Sequence, residues 1–376
     1  MSLTYRRAFF YLSIGLFLFL APLVVLFTAG YRINFSTGQF VQVGALTAAS
    51  IPKGATIKLD GNTLQVKTPT LVKRALPGTY RLELSKDGYE TWARDIEIKS
   101  RQTTTIEDAV LFLRREPEKI LDLQPSTSAA SPDGSVVAYE ILAEPWFELW
   151  QYDLARSEFL LLDRVSSKQI VDPHLYWTQS GVLQGPVFKK DASSEFQFET
   201  VGEHTGLMRL DNLGERTTRA LLPLGVYRIA DVVNHLVLIQ NVDEQKIILV
   251  DTATDGPPIL LNANAEFYHL ADGALLYSDG FELHRYDLET TRDVLITRSG
   301  TLLTDVVPFP YGQTLLIVSG GTVIASDISD PSRPVNTTIV SVDHIQSFWT
   351  DGHGRNGFFF GTVEGVPGLY KIALTK

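Results

Sequence analysis

The side chains able to do chemistry are scattered along the chain. His174, His204, His235, His269, His284, His344 and His353 stand singly, with no His-Glu-x-x-His run and no short pair at metal-ligand spacing. There is no cysteine, which removes thiolate nucleophiles, thiolate metal sites and disulfides together. A Gly-x-Ser-x-Gly elbow is absent as well, so the commonest signal for an α/β-hydrolase serine is missing. Neither a Walker-type phosphate loop nor a dinucleotide-binding glycine fingerprint is expected, and the residues call for no cofactor and no metal. Adjacent acids such as Asp243 and Glu244 read as solvated surface charge, although a fold that gathers distant carboxylates could build a glycosidase-like pair from them. No catalytic residue is assigned.

Two segments are better suited to binding than to catalysis. Pro145-Trp146-Phe147 falls between two expected strands, where exposed aromatics are costly unless they pack or bind. Packing against a neighbouring sheet is the competing reading for Trp146 and Phe147. Residues 188–206 form a long span with Lys189, Lys190, Phe196 and Phe198, which reads as a protruding hairpin.

These residues need elements to position them. Residues 8–30 are uncharged and rich in Phe, Leu, Ile and Val. At about 1.5 Å per residue, a helix of this length spans a hydrocarbon core of roughly 30 Å. A cleaved signal peptide is the alternative, but its apolar region is usually shorter, about 7 to 15 residues, so an uncleaved anchor is favoured. Arg6 and Arg7 precede the segment and Arg32 alone follows closely. The positive-inside tendency then leaves residues 1–7 as a cytoplasmic tail and everything after a 31–43 linker outside the cell membrane.

Past the linker, apolar and polar residues alternate. Ala55, Ile57 and Leu59 share one face, and Asp60-Gly61-Asn62 supplies a tight reversal before Leu64 and Val66. Tyr80, Leu82 and Leu84 follow, then the turn Lys86-Asp87-Gly88 and a further strand through Trp92, Ile96 and Ile98. This predicts a small antiparallel β-sandwich over residues 44–114. The set Pro52-Lys53-Gly54-Ala55, Leu59-Asp60-Gly61, Thr68-Pro69, Leu76-Pro77-Gly78-Thr79-Tyr80 and Lys86-Asp87-Gly88-Tyr89 resembles the PEGA domain. Lys53 stands where that family's tetrad has an acid. The resemblance implies an extracytoplasmic surface module that binds envelope components or protein and does no catalysis.

From about residue 120 a unit recurs: a turn with Asp-Gly or Gly, an apolar strand, then a strand closing on aspartate. Ser131-Pro132-Asp133-Gly134 with Leu149-Trp150-Gln151-Tyr152-Asp153-Leu154 is one clear copy, and Ala271-Asp272-Gly273 with Arg285-Tyr286-Asp287-Leu288 is another. The closing residues Asp153, Asp211, Asp251, Asp287 and Asp327 are 58, 40, 36 and 40 residues apart, which is the size of a propeller blade. They are expected to cap turns, not to form a metal ring. The pattern resembles TolB-like six-bladed propellers over residues 115–376, with a seventh blade built from residues near Glu116 left open.

The expected fold is therefore mainly β: a single transmembrane helix, a PEGA-like β-sandwich and a β-propeller of about six blades. Charge excludes a nucleic-acid partner, because 33 basic residues face 43 acidic ones, a net −10. It is unevenly spread, +3 over residues 44–114 (11 basic, 8 acidic) and −16 over residues 115–376 (19 basic, 35 acidic). The expected function is a membrane-anchored binding or scaffold protein of the cell envelope, held in the lipid bilayer by residues 8–30. The module would act as its stalk, and the propeller would recognise an envelope protein, peptide or glycan. The alternative is an envelope hydrolase or lyase with acids converging at the propeller mouth.

Overall fold

The computed structural model describes residues 3–34, 38–166, 176–177, 183–184, 196–210, 214–233, 235–254, 256–264, 267–271, 273–330 and 333–376. They form two units, Met1–Arg114 and Arg115–Lys376. The chain is mainly β, with one N-terminal apolar helix, Leu3–Thr28. Its stretch Phe9–Thr28 is long and apolar enough to cross a membrane, which fits an anchor or a signal sequence. The Ser13 and Thr28 hydroxyls donate to the carbonyls of Phe9 and Val25, so neither needs water. Gly30, at φ +84°, ends the helix, and the Arg32 guanidinium lies 3.6 Å from the centre of the Phe27 ring.

In the first unit, a four-stranded sheet orders Asn62–Lys67, Thr56–Leu59, Gly78–Ser85 and Trp92–Ile98. A three-stranded sheet orders Thr70–Ala75, Gly44–Ile51 and Thr103–Val110. The expected antiparallel sandwich needs one correction, since Gly44–Ile51 and Thr103–Val110 pair in parallel. Alternation reports which face of a strand is buried and says nothing about the direction of its partner. Leu46, Ala48, Ile57, Leu82, Leu84, Trp92 and Ile98 are the buried face of that alternation. Asp60 and Gly61 take φ +47° and +78°, the left-handed pair a two-residue hairpin requires.

The tetrad Pro52 to Ala55 is held by its backbone. Thr68 Oγ1 accepts from Ala55 N–H at 2.9 Å and shares a 2.6 Å hydrogen bond with Ser50 Oγ. Gly54 N–H donates to the Thr68 carbonyl, and Lys86 Nζ to the Lys53 carbonyl at 2.6 Å. The Lys53 side chain enters none of these bonds, so an acid or a base serves there equally well. Thr68→Val strands a buried N–H and is expected to cost about 1–3 kcal/mol. Urea unfolding of the full chain followed at Trp92 checks it, and an unchanged midpoint would refute it.

The second unit is built of antiparallel sheets in series. Each four-stranded blade has an inner, a second, a third and an outer strand. The first runs Thr127–Ala130, Val136–Ala143, Trp146–Asp153 and Glu158–Ser166; the third Tyr227–Val233, Leu236–Asn241, Lys246–Asp251 and Ile259–Asn264. The fourth runs Phe267–Ala271, Ala274–Ser278, Glu282–Asp287 and Arg292–Arg298; the fifth Leu303–Pro308, Thr314–Ser319, Thr322–Asp327 and Val335–Ser341. At the second blade's place in the chain, the pair Tyr176–Trp177 and Leu183–Gln184 precedes a sheet of Phe196–Val201, His204–Leu210 and Arg216–Pro223. The last sheet joins His344–Thr350, Asn356–Val363 and Val366–Ala373 to Glu118–Leu121, which enters as the outer strand. The residues near Glu116 thus complete the sixth blade, and no seventh is built from them.

Second strands are apolar without alternation because both their faces are covered. Val237 and Ile239 pack with Phe196 and Leu207 of the second blade, while Leu238 between them packs with Leu275 and Tyr277 of the fourth. Leu276 and Leu283 meet Val306 and Ile317 of the fifth, whose inner strand touches that of the sixth. Phe358 and Phe360 then meet Val137 and Tyr139 of the first, and Ala138 and Leu149 reach Leu183 of the second. The closing aspartates cap turns: Asp153 accepts from Ala155 and Arg156 N–H, Asp251 from Ala253, Asp287 from Thr290 and Asp327 from Ser329. Asp211 lies outside the described residues.

Candidate functional site

Inner strands surround the axis of such a fold, so what they present is the first place to look for chemistry. Three of them carry a bulge. Register skips Ala230 between Ile229 and Asp231, Thr304 between Leu303 and Asp305, and Gln346 between Ile345 and Ser347. Bulges re-aim side chains and recur beside functional sites. The local sequences agree, Ile229-Ala230-Asp231-Val232-Val233 against Leu303-Thr304-Asp305-Val306-Val307, a second repeat the closing aspartates conceal. Ser347 Oγ reaches Ser128 Oγ of the first inner strand at 2.7 Å, tying two blades together at this level.

Asp305 is the carboxyl most altered by its surroundings. Burial pushes it up to about 7, against a smaller downward pull from the Val306 N–H donated to Oδ1 at 2.7 Å. Glu140, on the second strand of the first blade, is also raised by burial, and its Oε1 has no hydrogen-bond partner among the described residues. A carboxyl whose folded pKa exceeds its unfolded value is favoured neutral, so stability is highest below about 4 and falls as pH rises toward 7. Asp305→Asn is accordingly expected to leave stability unchanged at pH 4 and to raise it by on the order of 2 kcal/mol at pH 8. Urea midpoints across that range decide it; parent and variant curves that stay parallel would count against a neutral Asp305.

One histidine that stands alone in sequence does not stand alone in space. His284 lies flat on Tyr277, ring centres 5.1 Å apart, with Nδ1 3.3 Å from Asp293 and Nε2 3.3 Å from Glu282. Tyr277 donates to Asp293 at 2.5 Å, and Arg298 pairs with Glu282 at 2.7 Å. Glu282 and His284 sit two apart on one strand face, the spacing by which sequence could have found them; Asp293 comes from the outer strand. Among the described residues no three His, Asp or Glu side chains gather as a metal site. Gly352-His353-Gly354-Arg355-Asn356-Gly357 has the spacing of a dinucleotide fingerprint, contrary to the expectation that none occurs. It spans the turn between His344–Thr350 and Asn356–Val363 and the first two residues of the latter, with no helix to hold a phosphate, so Gly352 and Gly354 serve the turn and Gly357 the strand.

The residues singled out for binding fall into three groups. Trp146 and Phe147 open the third strand of the first blade and are not in a loop; the turn before them is Glu144-Pro145. Trp146 is 43% exposed, while Phe147 is half-buried. Phe196 and Phe198 correct the expectation of an exposed hairpin. Phe196 is 3% exposed in the core between second and third blades, and Phe198 packs against that core and Tyr227, because period two turns both rings to the third blade. Lys189 and Lys190 lie outside the described residues. In the first unit, a cleft of about 310 Å3 is lined by Gly54, Thr56, Lys67, Ser85, Lys86 and Asp87.

Residues 43–110 match the PEGA domain family. No curated protein matches the chain. Among solved structures, one similar chain belongs to "Crystal Structure of Mitotic Checkpoint Complex", at 10% identity and TM-score 0.40, covering 80% of this chain and 86% of that one. Another is TolB from Acinetobacter baumannii, at 11% identity and TM-score 0.34, covering 79% of this chain and 64% of that one. At these scores the likenesses add nothing to the strand pairing, which itself defines the blades.

Proposed function

We propose that this protein is a membrane-anchored, extracytoplasmic binding and scaffold protein of the cell envelope, in which the propeller is the recognition surface. One observation carries the reading: an exposed apolar helix long enough to span a bilayer leads, in the same chain, into a PEGA domain and then a propeller. Arg6 and Arg7, in the first turns of the helix and ahead of its apolar stretch Phe9–Thr28, favour an N-terminus on the cytoplasmic side. The −16 charge of residues 115–376 disfavours both nucleic acid and anionic lipid as the propeller's partner and leaves protein, peptide or glycan.

Membrane fractions extracted with alkaline carbonate, with protease added from outside, test the location. The full chain is expected to stay with the membrane, to begin upstream of residue 8 on N-terminal sequencing, and to lose its propeller to the protease. Recovery of a soluble chain starting near residue 30 would instead identify a signal sequence. Affinity capture from native envelope tests the recognition role, with a chain lacking residues 115–376 as control. Equal recovery by both baits would remove the propeller from it.

A further inference from the structure

The two ends of the propeller differ in kind. In each blade the turn from second to third strand emerges at one end, together with the connection from the outer strand to the next blade. The turns from inner to second and from third to outer strand emerge at the other. Large apolar side chains are exposed at the first end: Val242 and Phe281 on turns from second to third strand, Trp146 and Val366 as the first residues of third strands that follow such turns, and Leu224 and Val226 on one connection, from 40% for Val242 to 68% for Leu224. Among the described residues, no large apolar side chain is exposed in the turns of the second end. Those turns carry the capping aspartates instead.

Acids stand beside the apolar tips. Glu144, Glu203, Asp243 and Glu364 are exposed on the second-to-third-strand turns of the first, second, third and sixth blades. Nearby cations are already engaged within their own blades, Lys246 with Glu244 at 2.8 Å, Arg298 with Glu282 at 2.7 Å and Arg164 with Glu148 at 2.5 Å. The chain enters the unit at Glu118 and ends beyond Ala373, both at the second end, as the pairing of Glu118 with Lys371 requires. The apolar end therefore carries neither terminus of the unit.

Resting on the propeller's proposed recognition role, we infer that this apolar, acid-ringed end is the docking surface, and that its occupant is a basic polypeptide segment with aromatic or aliphatic anchors. Apolar side chains spaced among like charges supply what an interface needs: anchors that bury, and a rim that steers and selects by charge. A lipid surface offers apolar depth too, but anionic headgroups would meet the acids.

The test uses full-length protein in nanodiscs of zwitterionic lipid and a fluorescein-labelled 15-residue peptide alternating Lys with Leu and Phe. Fluorescence anisotropy is read against salt. Trp146→Ser with Phe281→Ser, and separately Glu144→Lys with Glu364→Lys, are each expected to weaken binding at least tenfold, the charge pair also flattening the salt dependence. Glu158→Lys with Glu289→Lys, at the other end, should stay within twofold. All sites are exposed, and unchanged thermal midpoints confirm that the variants fold. Equal losses from the two ends, or none from either, would overturn the docking surface. So would binding of the parent to vesicles containing anionic lipid that the charge pair strengthens and the apolar pair abolishes. None of these readings depends on where the protein resides in the cell, so they fail separately from the fractionation above.

Discussion

Gly134→Ala is expected to destabilise the propeller by about 3–5 kcal/mol, a left-handed backbone penalty added to an overpacking one. Gly134 takes φ +66° in the turn Ser131-Pro132-Asp133-Gly134, with its N–H donated to the Ser131 carbonyl at 2.8 Å. A Cβ there would lie 1.9 Å from the Thr350 carbonyl oxygen, which is backbone and cannot swing aside. The contact belongs to the junction of first and sixth blades, where Gly352 N–H also donates to the Asp133 carbonyl at 2.9 Å. Gly273 is the control. It holds the same place in the fourth blade at φ +72°, but a Cβ there meets nothing within 4 Å, so Gly273→Ala should cost only about 1–2 kcal/mol. Urea unfolding of the two variants separates strain from collision. Equal midpoints would mean that the blade junction gives way, and the close approach would then have no consequence for stability.

Phe359→Ala should be comparably severe, about 3–5 kcal/mol for an aromatic deleted from a packed core. Phe359 is fully buried on the second strand of the sixth blade, stacked on Tyr370 with ring centres 5.3 Å apart and opposite Phe348 on its other side. Its sheet is the one that joins the unit's first strand to its last three, so a cavity there loosens the junction of the two chain ends. Phe159, on the outer strand of the first blade, is 52% exposed and touches Tyr152 at 4.8 Å. Phe159→Ala should cost no more than about 1 kcal/mol. Differential scanning calorimetry that placed the two variants at one midpoint would be incompatible with this packing.

Much of the architecture is legible in residue order, and the reasons are local. A long uncharged run that the fold leaves exposed fits a membrane anchor or a signal sequence, because its length and apolarity match a bilayer's hydrocarbon core. Asp60-Gly61 and Ser131-Pro132-Asp133-Gly134 name their turns because few residues accept positive φ. Closing aspartates recurring every 36 to 58 residues report the blade, each strand end meeting the same need for a cap. Where order misled, the missing information was directional or distant. Phe196 and Phe198 looked exposed because their span is long and charged, yet period two places both on a covered face.

The sequence by itself determined the apolar span, the PEGA domain and the repeating blade, because each follows from side-chain period, turn chemistry or uninterrupted apolarity within a few dozen residues. Only the tertiary structure decided that Glu118–Leu121 completes the last blade and that Thr103–Val110 pairs in parallel with Gly44–Ile51. It also decided that His284 lies between Glu282 and Asp293, that Asp305 is desolvated and that the exposed apolar tips share one end. Each of these joins residues whose proximity comes from stacking whole sheets, and a strand's own alternation carries no record of which sheet will cover it.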